Sequence, residues 1–232
     1  MGSRVIPGKE NCMYQPKKWV IADTHFHSSF MLKYFEIEMG REIPNTKKYD
    51  DLLVNYWNSI VDEKDIVFVI GDFSDNPHNL NQEYGLIHKL HGTKTLILGN
   101  HDFHFRTLDY WKGGLQDKMD GGTYWLNAGF DRVVDDQLEL ELLGVHFLLT
   151  HEPVDTSPGI YNIHGHNHER SSSDPLKINV AATVNRFKPV SLFELALERA
   201  DDSIRGPILE KRAQFQEARE EKKALKRQNR QE

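Results

Sequence analysis

The chain has 232 residues, a formal net charge of −6, 38% hydrophobic residues and 28% charged residues. This length suits one α/β domain with a sizeable core, and two full domains would be cramped. No stretch approaches the roughly 20 apolar residues of a membrane helix, and residues 1–15 lack the apolar centre of a signal peptide. The single cysteine, Cys12, cannot form an intramolecular disulfide. We therefore expect a cytoplasmic protein with no membrane partner.

Apolar runs in the N-terminal half predict buried strands, and each run stops at a polar segment. The three runs, each with the segment after it, are Trp19–Ala22 before Asp23, Asp65–Ile70 before Gly71-Asp72, and Lys94–Leu98 before Gly99-Asn100-His101. Amphipathic spacing predicts helices between them, over Tyr49–Val61 and Asn79–Leu90. This alternation of strand and helix predicts a largely parallel sheet with right-handed crossovers.

The second half of the chain predicts a second sheet. Gln137–Leu142 alternates apolar and polar residues, and with Val145–Thr150 it predicts a hairpin whose second strand leads to His151. Further strands are predicted over Tyr161–Gly165, Lys177–Val184 and Pro189–Leu195. The loops over residues 152–159 and 167–175 are rich in Ser, Pro and Asp, so they are candidates for walls that face a substrate.

The C-terminal segment differs in charge from the rest of the chain. Gly206-Pro207 marks a break in the sequence pattern, and the segment Ile208–Gln231 after it is rich in helix-forming residues. Residues 211–231 carry a net charge of +5, which leaves −11 on the remainder. We expect a domain over residues 1–200 and a charged helical tail over residues 207–232. A solvated helix against the body, an oligomerising or partner-binding helix, and a nucleic-acid contact all stay open for this tail.

Residues that bind metals gather directly after the predicted strands. The five segments that carry them are Asp23-Thr24-His25, Gly71-Asp72, Gly99-Asn100-His101-Asp102, Thr150-His151 and Gly165-His166-Asn167-His168. Ligands of α/β sheets bind at the carboxyl ends of strands, so these segments are expected to meet. Two divalent cations neutralise a phosphate ester and generate hydroxide at neutral pH. Mixed Asp, Asn and His donors suit Mn, Fe, Zn, Co or Ni.

The order of these segments resembles the calcineurin-like metallophosphoesterases, whose pattern runs D-x-H, G-D, G-N-H-[DE], H and G-H-x-H. Every element of that pattern is present between residues 23 and 168. The resemblance implies an α/β fold, a four-layer αββα sandwich of two mixed β-sheets flanked by helices. It also implies two divalent metal ions as cofactors, with Mn expected and Fe, Zn, Co or Ni as alternatives.

The resemblance further implies a role for each residue of the pattern. The implied metal ligands are Asp23, His25 and His168 for one ion, Asn100, His151 and His166 for the other, and Asp72 as a bridge between them. His101 would hydrogen-bond the phosphate and protonate or stabilise the leaving oxygen, and Asp102 would orient the His101 imidazole. The attacking group would be a metal-bridging hydroxide, without a phosphoenzyme.

Within that family the chain is most similar to small, poorly characterised bacterial and phage phosphoesterases. The shared features include Trp57-Asn58-Ser59, Gly129-Phe130-Asp131, Tyr161–His166, Ile178-Asn179-Val180 and Pro189–Leu192. Those relatives tend to read D-T-H-F-G-H, whereas His27 and Ser28 stand at the fifth and sixth positions here. His27, His104 and His164 lie beside predicted ligands, and we expect them to support ligands or to face solvent rather than bind metal. For Arg106, a phosphate contact and a surface salt bridge are both open.

The sequence predicts a metal-dependent phosphohydrolase that prefers phosphodiesters. Short loops are expected to leave the site open to a second ester substituent, and a general acid such as His101 helps most when the leaving group is a poor alkoxide. The expected substrate is a small-molecule or nucleotide phosphate ester. A phosphomonoesterase acting on nucleotides or proteins, a nuclease of the same fold, and a non-catalytic interaction scaffold are the alternatives. The acidic body argues against nucleic acid as the substrate, and the intact ligand pattern argues against a scaffold.

Overall fold

A computed structural model of the protein describes residues 15–75, 79–103, 121–168 and 173–228. Cys12, His104 and Arg106, which the sequence singles out, lie outside the described residues. The strands are β1 (Lys18–Ile21), β2 (Ile66–Ile70), β3 (Thr93–Ile97), β4 (Arg132–Val134), β5 (Gln137–Leu142), β6 (Val145–Thr150), β7 (Ile160–His164), β8 (Lys177–Asn179) and β9 (Val190–Ser191). The helices are α1 (Phe30–Met39), α2 (Thr46–Asn58), α3 (Leu80–Ile87), α4 (Gly121–Ala128), α5 (Leu192–Arg199) and α6 (Asp202–Gln228).

The strands form two mixed sheets. The first sheet has the order β4-β3-β2-β1-β9, in which β1 to β4 are parallel and β9 is antiparallel to β1. The second sheet has the order β5-β6-β7-β8, in which β5 and β6 are antiparallel and β6, β7 and β8 are parallel. The predicted parallel sheet, the predicted hairpin and the fold class of two mixed sheets with flanking helices are confirmed.

Two hydrophobic cores hold these layers together. The first core joins helices α1 to α4 to one face of the first sheet, and its largest fully buried side chains include Trp57, Trp125 and Tyr49. The second core lies between the sheets, where Phe68 of β2 meets Phe147 of β6, and α5 contributes to it. Because both faces of the first sheet are covered by apolar side chains, its strands read as continuous apolar runs in the sequence.

The observed helices differ from the predicted ones in their bounds and in their number. The predicted helices correspond to α2 and α3, whose bounds differ from the prediction by up to three residues at each end. Tyr84 of α3 is 50% exposed, and its ring stacks on that of His88 with the centroids 3.8 Å apart. Helices α1 and α4 and strand β4 are not predicted by the sequence patterns.

Two predicted strands are largely wrong. The predicted strand over residues 189–195 is extended only at Val190–Ser191, joins the first sheet and gives way to α5. The cause is Ser191, whose side chain accepts a hydrogen bond from the backbone N–H of Glu194 and so caps the helix. The predicted strand over residues 177–184 ends at Asn179, because the Asn179 side chain accepts from the N–H of Ala181 and turns the chain.

Helix α6 starts before Gly206-Pro207 and runs through it. Pro207 lies inside the helix, where it lacks the N–H that would donate to the carbonyl of Ser203. Ile204 packs against the core between the sheets. Arg212 pairs with both carboxylate oxygens of Glu194, at 2.7 and 3.0 Å. Beyond Arg212 the described side chains are exposed, and Phe215 is 73% exposed.

In the described part of the chain, each helix is too polar or too short to cross a lipid bilayer. The long helix α6 illustrates the point, because charged residues recur along its whole length.

Candidate metal centre

The predicted ligands come together at one edge of the two sheets. Asp23 follows β1, Asp72 follows β2 and Asn100 follows β3 in the first sheet, while His151 and His166 follow β6 and β7 in the second. The carboxyl ends of parallel strands share an edge, so each loop leaves its sheet at the same place. Backbone hydrogen bonds tie the loops to one another, from Asp23 to the carbonyl of Gly71 and from His25 to that of Asp72.

Four of the predicted ligands have an unusual backbone. The φ angle is +52° at Asp23, +39° at His25, +53° at Asp72 and +66° at His166, in the left-handed region that residues with a side chain rarely occupy. Such conformations cost about 1–3 kcal/mol each and persist where the surrounding structure imposes them. They turn the chain sharply at the strand ends, so that side chains from successive loops face the same space.

Glycines provide the space for this close approach. A Cβ atom at Gly71 would overlap the imidazole of His151, and one at Gly99 would overlap the carboxylate of Asp72. A Cβ atom at Gly165 would likewise overlap the carboxylate of Asp23. Each glycine of the G-D, G-N-H and G-H segments therefore makes room for a predicted ligand that belongs to a different segment.

The first group of ligands consists of Asp23, His25 and His168. One donor atom from each lies within 4.8 Å of the others, close enough to hold a metal ion. Nε2 of His25 is 4.0 Å from Oδ1 of Asp23, and the rings of His25 and His168 are 5.0 Å apart. Asp23 also accepts the backbone N–H of His166, which brings the β7 loop to this group.

The second group consists of Asn100, His151 and His166. Oδ1 of Asn100 lies 2.9 Å from Nε2 of His151 and 3.1 Å from Nδ1 of His166. Asp72 lies between the two groups, with Oδ2 3.6 Å from Nε2 of His25 and 3.3 Å from Nε2 of His151. One carboxylate oxygen therefore faces a histidine of each group.

His25 and His151 direct Nε2 into the centre, because a polar contact at Nδ1 fixes the orientation of each ring. Nδ1 of His151 donates to the carbonyl of Ile70 at 3.1 Å, and Nδ1 of His25 lies 3.0 Å from Oδ1 of Asp75. Such partners fix the orientation and tautomer of a metal-binding imidazole. Both Nε2 atoms are thus presented to Asp72.

The donor set fits divalent metal ions. Among the described residues, Nε2 of His25 and Nδ1 of His168 are buried and have no hydrogen-bond partner. Burial raises the pKa of Asp23 to about 7. Burial lowers the pKa of His151, but the hydrogen bond and charge of Asp72 outweigh it and raise that pKa above its usual range. Buried carboxylates that share a site with imidazoles are stabilised by positive charge, which a divalent cation supplies.

His101 lies at the rim of the centre, beside a carboxylate that the sequence does not single out. Its side chain is 34% exposed, and Nδ1 lies 3.1 Å from Oδ1 of Asp75. The backbone N–H of His101 donates to Asp72 at 2.9 Å. The hydrogen bond with His25 lowers the pKa of Asp75 to about 2, so this carboxylate is ionised at neutral pH.

Asp102 takes a different position from the predicted one. Its buried carboxylate accepts backbone N–H groups of Gly99 and Asp72 at 2.8 Å and of Phe73 at 3.1 Å. The prediction that Asp102 orients the imidazole of His101 therefore differs from the structure, in which Asp75 makes that contact. The signal for Asp75 is its place three residues after Asp72 in the same loop, and that signal is weak in a single sequence.

The two described histidines beside the ligands bind protein groups. Nδ1 of His27 lies 2.7 Å from Oδ2 of Asp50, and Nε2 lies 3.5 Å from Oε1 of Glu83. His27 also has a φ of +67°, in the left-handed region that residues with a side chain rarely occupy. Nδ1 of His164 donates to the carbonyl of Gly165 at 2.9 Å. The contacts of His27 link its loop to α2 and α3, whereas the contact of His164 stays within its own segment.

Comparisons with known proteins agree with this arrangement. A model of the calcineurin-like phosphoesterase family matches residues 16–211. An uncharacterized protein of Methanocaldococcus jannaschii is 29% identical over 191 residues, which cover 78% of this chain and 89% of that protein.

Two solved structures are also similar. A protein of unknown function from Aquifex aeolicus has a TM-score of 0.55 at 20% identity, over 78% of this chain and 98% of its own, and this likeness concerns the fold alone. A novel archaeal phosphodiesterase has a TM-score of 0.39 at 18% identity, over 71% and 82%, which is too distant to inform the substrate. The family match covers both sheets and every predicted ligand, so the chain belongs to the calcineurin-like phosphoesterases, a family of metal-dependent phosphoester hydrolases.

Proposed function

We propose that this protein hydrolyses phosphodiesters at a centre of two divalent metal ions. The observation that carries the proposal is the position of Asp72, whose Oδ2 lies 3.6 Å from Nε2 of His25 and 3.3 Å from Nε2 of His151. A carboxylate between two groups of donors is the arrangement that a two-metal site requires.

The two groups of ligands divide between the ions. Asp23, His25 and His168 would hold one ion, and Asn100, His151 and His166 the other, with Asp72 shared. When bound, the ions neutralise the phosphate charge and activate water for attack at neutral pH. Imidazole, carboxylate and amide donors suit Mn, our first choice, as well as Fe, Zn, Co and Ni.

His101 is proposed as the group that assists the leaving oxygen. Nδ1 of His101 faces Asp75, and the side chain is 34% exposed at the rim of the centre, where a substrate can reach it. The Asp75 carboxylate orients the His101 imidazole, which would donate a proton to the departing alkoxide. Asp102 would instead hold the backbone of two loops in place, since its carboxylate accepts the N–H groups of Asp72, Phe73 and Gly99.

Two arguments support a preference for diesters: the solvent exposure of one side of the site, and the poor leaving group of natural diesters. Asn100 and His166 are exposed, and His101 is about one-third exposed, so a second ester substituent can extend toward solvent. A general acid contributes most when the leaving group is a poor alkoxide, as in natural diesters. The alternative is a phosphomonoesterase, whose doubly charged substrate binds metal ions more tightly.

Two measurements test the proposal. Elemental analysis of the metal-loaded protein should give about two metal ions per chain, as expected for a two-metal site. With Mn, bis(p-nitrophenyl) phosphate should exceed p-nitrophenyl phosphate in kcat/KM. A monoester advantage of about tenfold, or about 1.4 kcal/mol in transition-state stabilisation, would make the protein a phosphomonoesterase. Binding of a single ion would refute the two-metal centre.

A further inference from the structure

Two aromatic side chains of α1 stand beside the metal centre. Helix α1 begins five residues after His25, and its first residue, Phe30, is 59% exposed. Tyr34 lies one turn further on the same face, and the two rings are 5.2 Å apart at an angle of 62°. We call Phe30 and Tyr34 the aromatic shelf.

The shelf is continuous with the first group of ligands. The ring of His168 lies 6.1 Å from Phe30 at 87° and 6.1 Å from Tyr34 at 30°. His168 in turn lies 5.0 Å from the ring of His25. A row of rings therefore leads from the metal centre to the surface of α1.

The exposure of Phe30 is not a requirement of the fold. The core face of α1 is supplied by Met31 and Phe35, both fully buried. Ser29 precedes the helix, and Phe30 takes its first position, where a polar or small residue would serve the helix as well. A single exposed apolar residue is ordinary on a protein surface. An exposed ring in contact with a predicted metal ligand offers apolar area to whatever the metals bind.

We propose that the aromatic shelf stacks the base of a nucleotide diester whose phosphate lies at the metal centre, an inference that rests on the proposed function. A nucleotide carries its base one sugar away from its phosphate, so a substrate held at the metals can reach the adjacent helix. Aromatic side chains stack on the flat face of any base. The shelf therefore selects nucleotides as a class and does not select one base.

A kinetic comparison tests the shelf. The p-nitrophenyl ester of thymidine monophosphate and methyl p-nitrophenyl phosphate are diesters with the same leaving group, and they differ only in the nucleoside. The wild-type protein should favour the thymidine ester in kcat/KM. In Phe30→Ala the ratio of the two kcat/KM values should fall about tenfold, equal to about 1.4 kcal/mol.

Matched variants separate stacking from other effects. Phe30→Leu keeps an apolar side chain without a ring and should lose most of the preference, whereas Phe30→Trp should retain it. Phe215→Ala removes a ring of α6 that is 73% exposed and far from the shelf in sequence, and its ratio should match that of the wild type. Equal ratios in the wild type and in Phe30→Ala, or full preference in Phe30→Leu, would overturn the shelf.

Equilibrium binding decides the same question without turnover. Titration of zinc-loaded protein with adenosine monophosphate should show affinity weakened about tenfold by Phe30→Ala, while the affinity for inorganic phosphate changes less. Equal weakening for both ligands would assign Phe30 to the support of His168 and overturn base stacking. If neither ester is hydrolysed, the proposed hydrolase function fails, and this titration still tests the shelf.

Discussion

Nδ1 of His101 lies 3.1 Å from Oδ1 of Asp75, and these residues come from loops that follow different strands. The same Asp75 oxygen lies 3.0 Å from Nδ1 of His25. One carboxylate oxygen therefore orients both a predicted metal ligand and the residue proposed to assist the leaving group. In the proposed mechanism, Asp75 would couple metal binding to proton transfer through a single side chain.

Replacement of Asp75 by Asn should impair both functions. We expect metal affinity to fall by roughly 10–100-fold, as for other groups that support metal ligands, and kcat at saturating Mn to fall by roughly a hundredfold. Metal titration and kcat separate the two effects. Asp155→Asn, at an exposed carboxylate paired with Lys177, is the control and should behave as wild type. Complete recovery of kcat in excess Mn would limit Asp75 to the support of His25.

His101→Ala should reduce the rate and leave the metals in place. His101 is proposed to act on the leaving oxygen, so kcat should fall by roughly a hundredfold or more, which is typical of a general acid. Metal content should remain near that of the wild type in elemental analysis. Loss of one ion together with the His101 side chain would identify His101 as a ligand.

Asp72→Asn should damage both metal sites at once. The carboxylate oxygen that faces His25 and His151 is proposed to be shared, and an amide is a weaker bridge. We expect kcat/KM to fall by at least about a thousandfold, as when a metal-activated nucleophile is removed. Normal turnover by the variant in saturating Mn would be incompatible with a two-metal centre.

Gly99→Ala should weaken metal binding through a steric effect. The added Cβ would overlap the carboxylate and backbone N of Asp72, so that loop has to shift. Loop shifts of this kind should lower both metal content and kcat, while circular dichroism stays close to that of the wild type. Gly85→Ala in α3 is the control, since its Cβ meets open space, and it should raise helix stability by about 0.5–1 kcal/mol. Wild-type metal content in Gly99→Ala would show that the loops are less tightly fitted.

Deletion of residues 214–232 should leave a folded and active protein. The deleted part of α6 is exposed wherever its side chains are described, whereas Ile204 and the Arg212–Glu194 pair are retained. Thermal unfolding and activity should stay near wild type. Light scattering tests the association role considered for the tail, and a change in oligomeric state would make this segment an interface helix.

The segments that carry the predicted metal ligands could be recognised from the sequence because each is local. A strand that ends at a polar residue is visible within a few positions, and the common edge of parallel strands then brings Asp23, Asp72 and Asn100 together. Asp75 could not be recognised in this way. Its importance comes from contacts with His25 and His101, which lie 50 and 26 positions away in the chain.

The extent of strand β9 is not visible in the sequence for a related reason. Its apolar run reads equally as strand or helix, and the side chain of Ser191 decides where the extended chain stops. Its membership of the first sheet depends on antiparallel pairing with β1, whose residues Trp19 and Val20 are far away in sequence. Sequence patterns report the period of a segment, but the partner of a strand is chosen by the tertiary fold.

The glycines at the strand ends have a consequence for how this site can change over time. The lack of a Cβ atom at Gly71 leaves space for His151, and Gly99 and Gly165 do the same for Asp72 and Asp23. The space for each donor therefore depends on a glycine that is distant from it in the sequence. Replacement of one of these glycines by a larger residue would displace a donor on another loop. Replacement of that donor alone would not restore the original geometry. We therefore expect a change of metal or of chemistry at the proposed centre to require paired substitutions, one at a donor and one at the glycine that makes room for it.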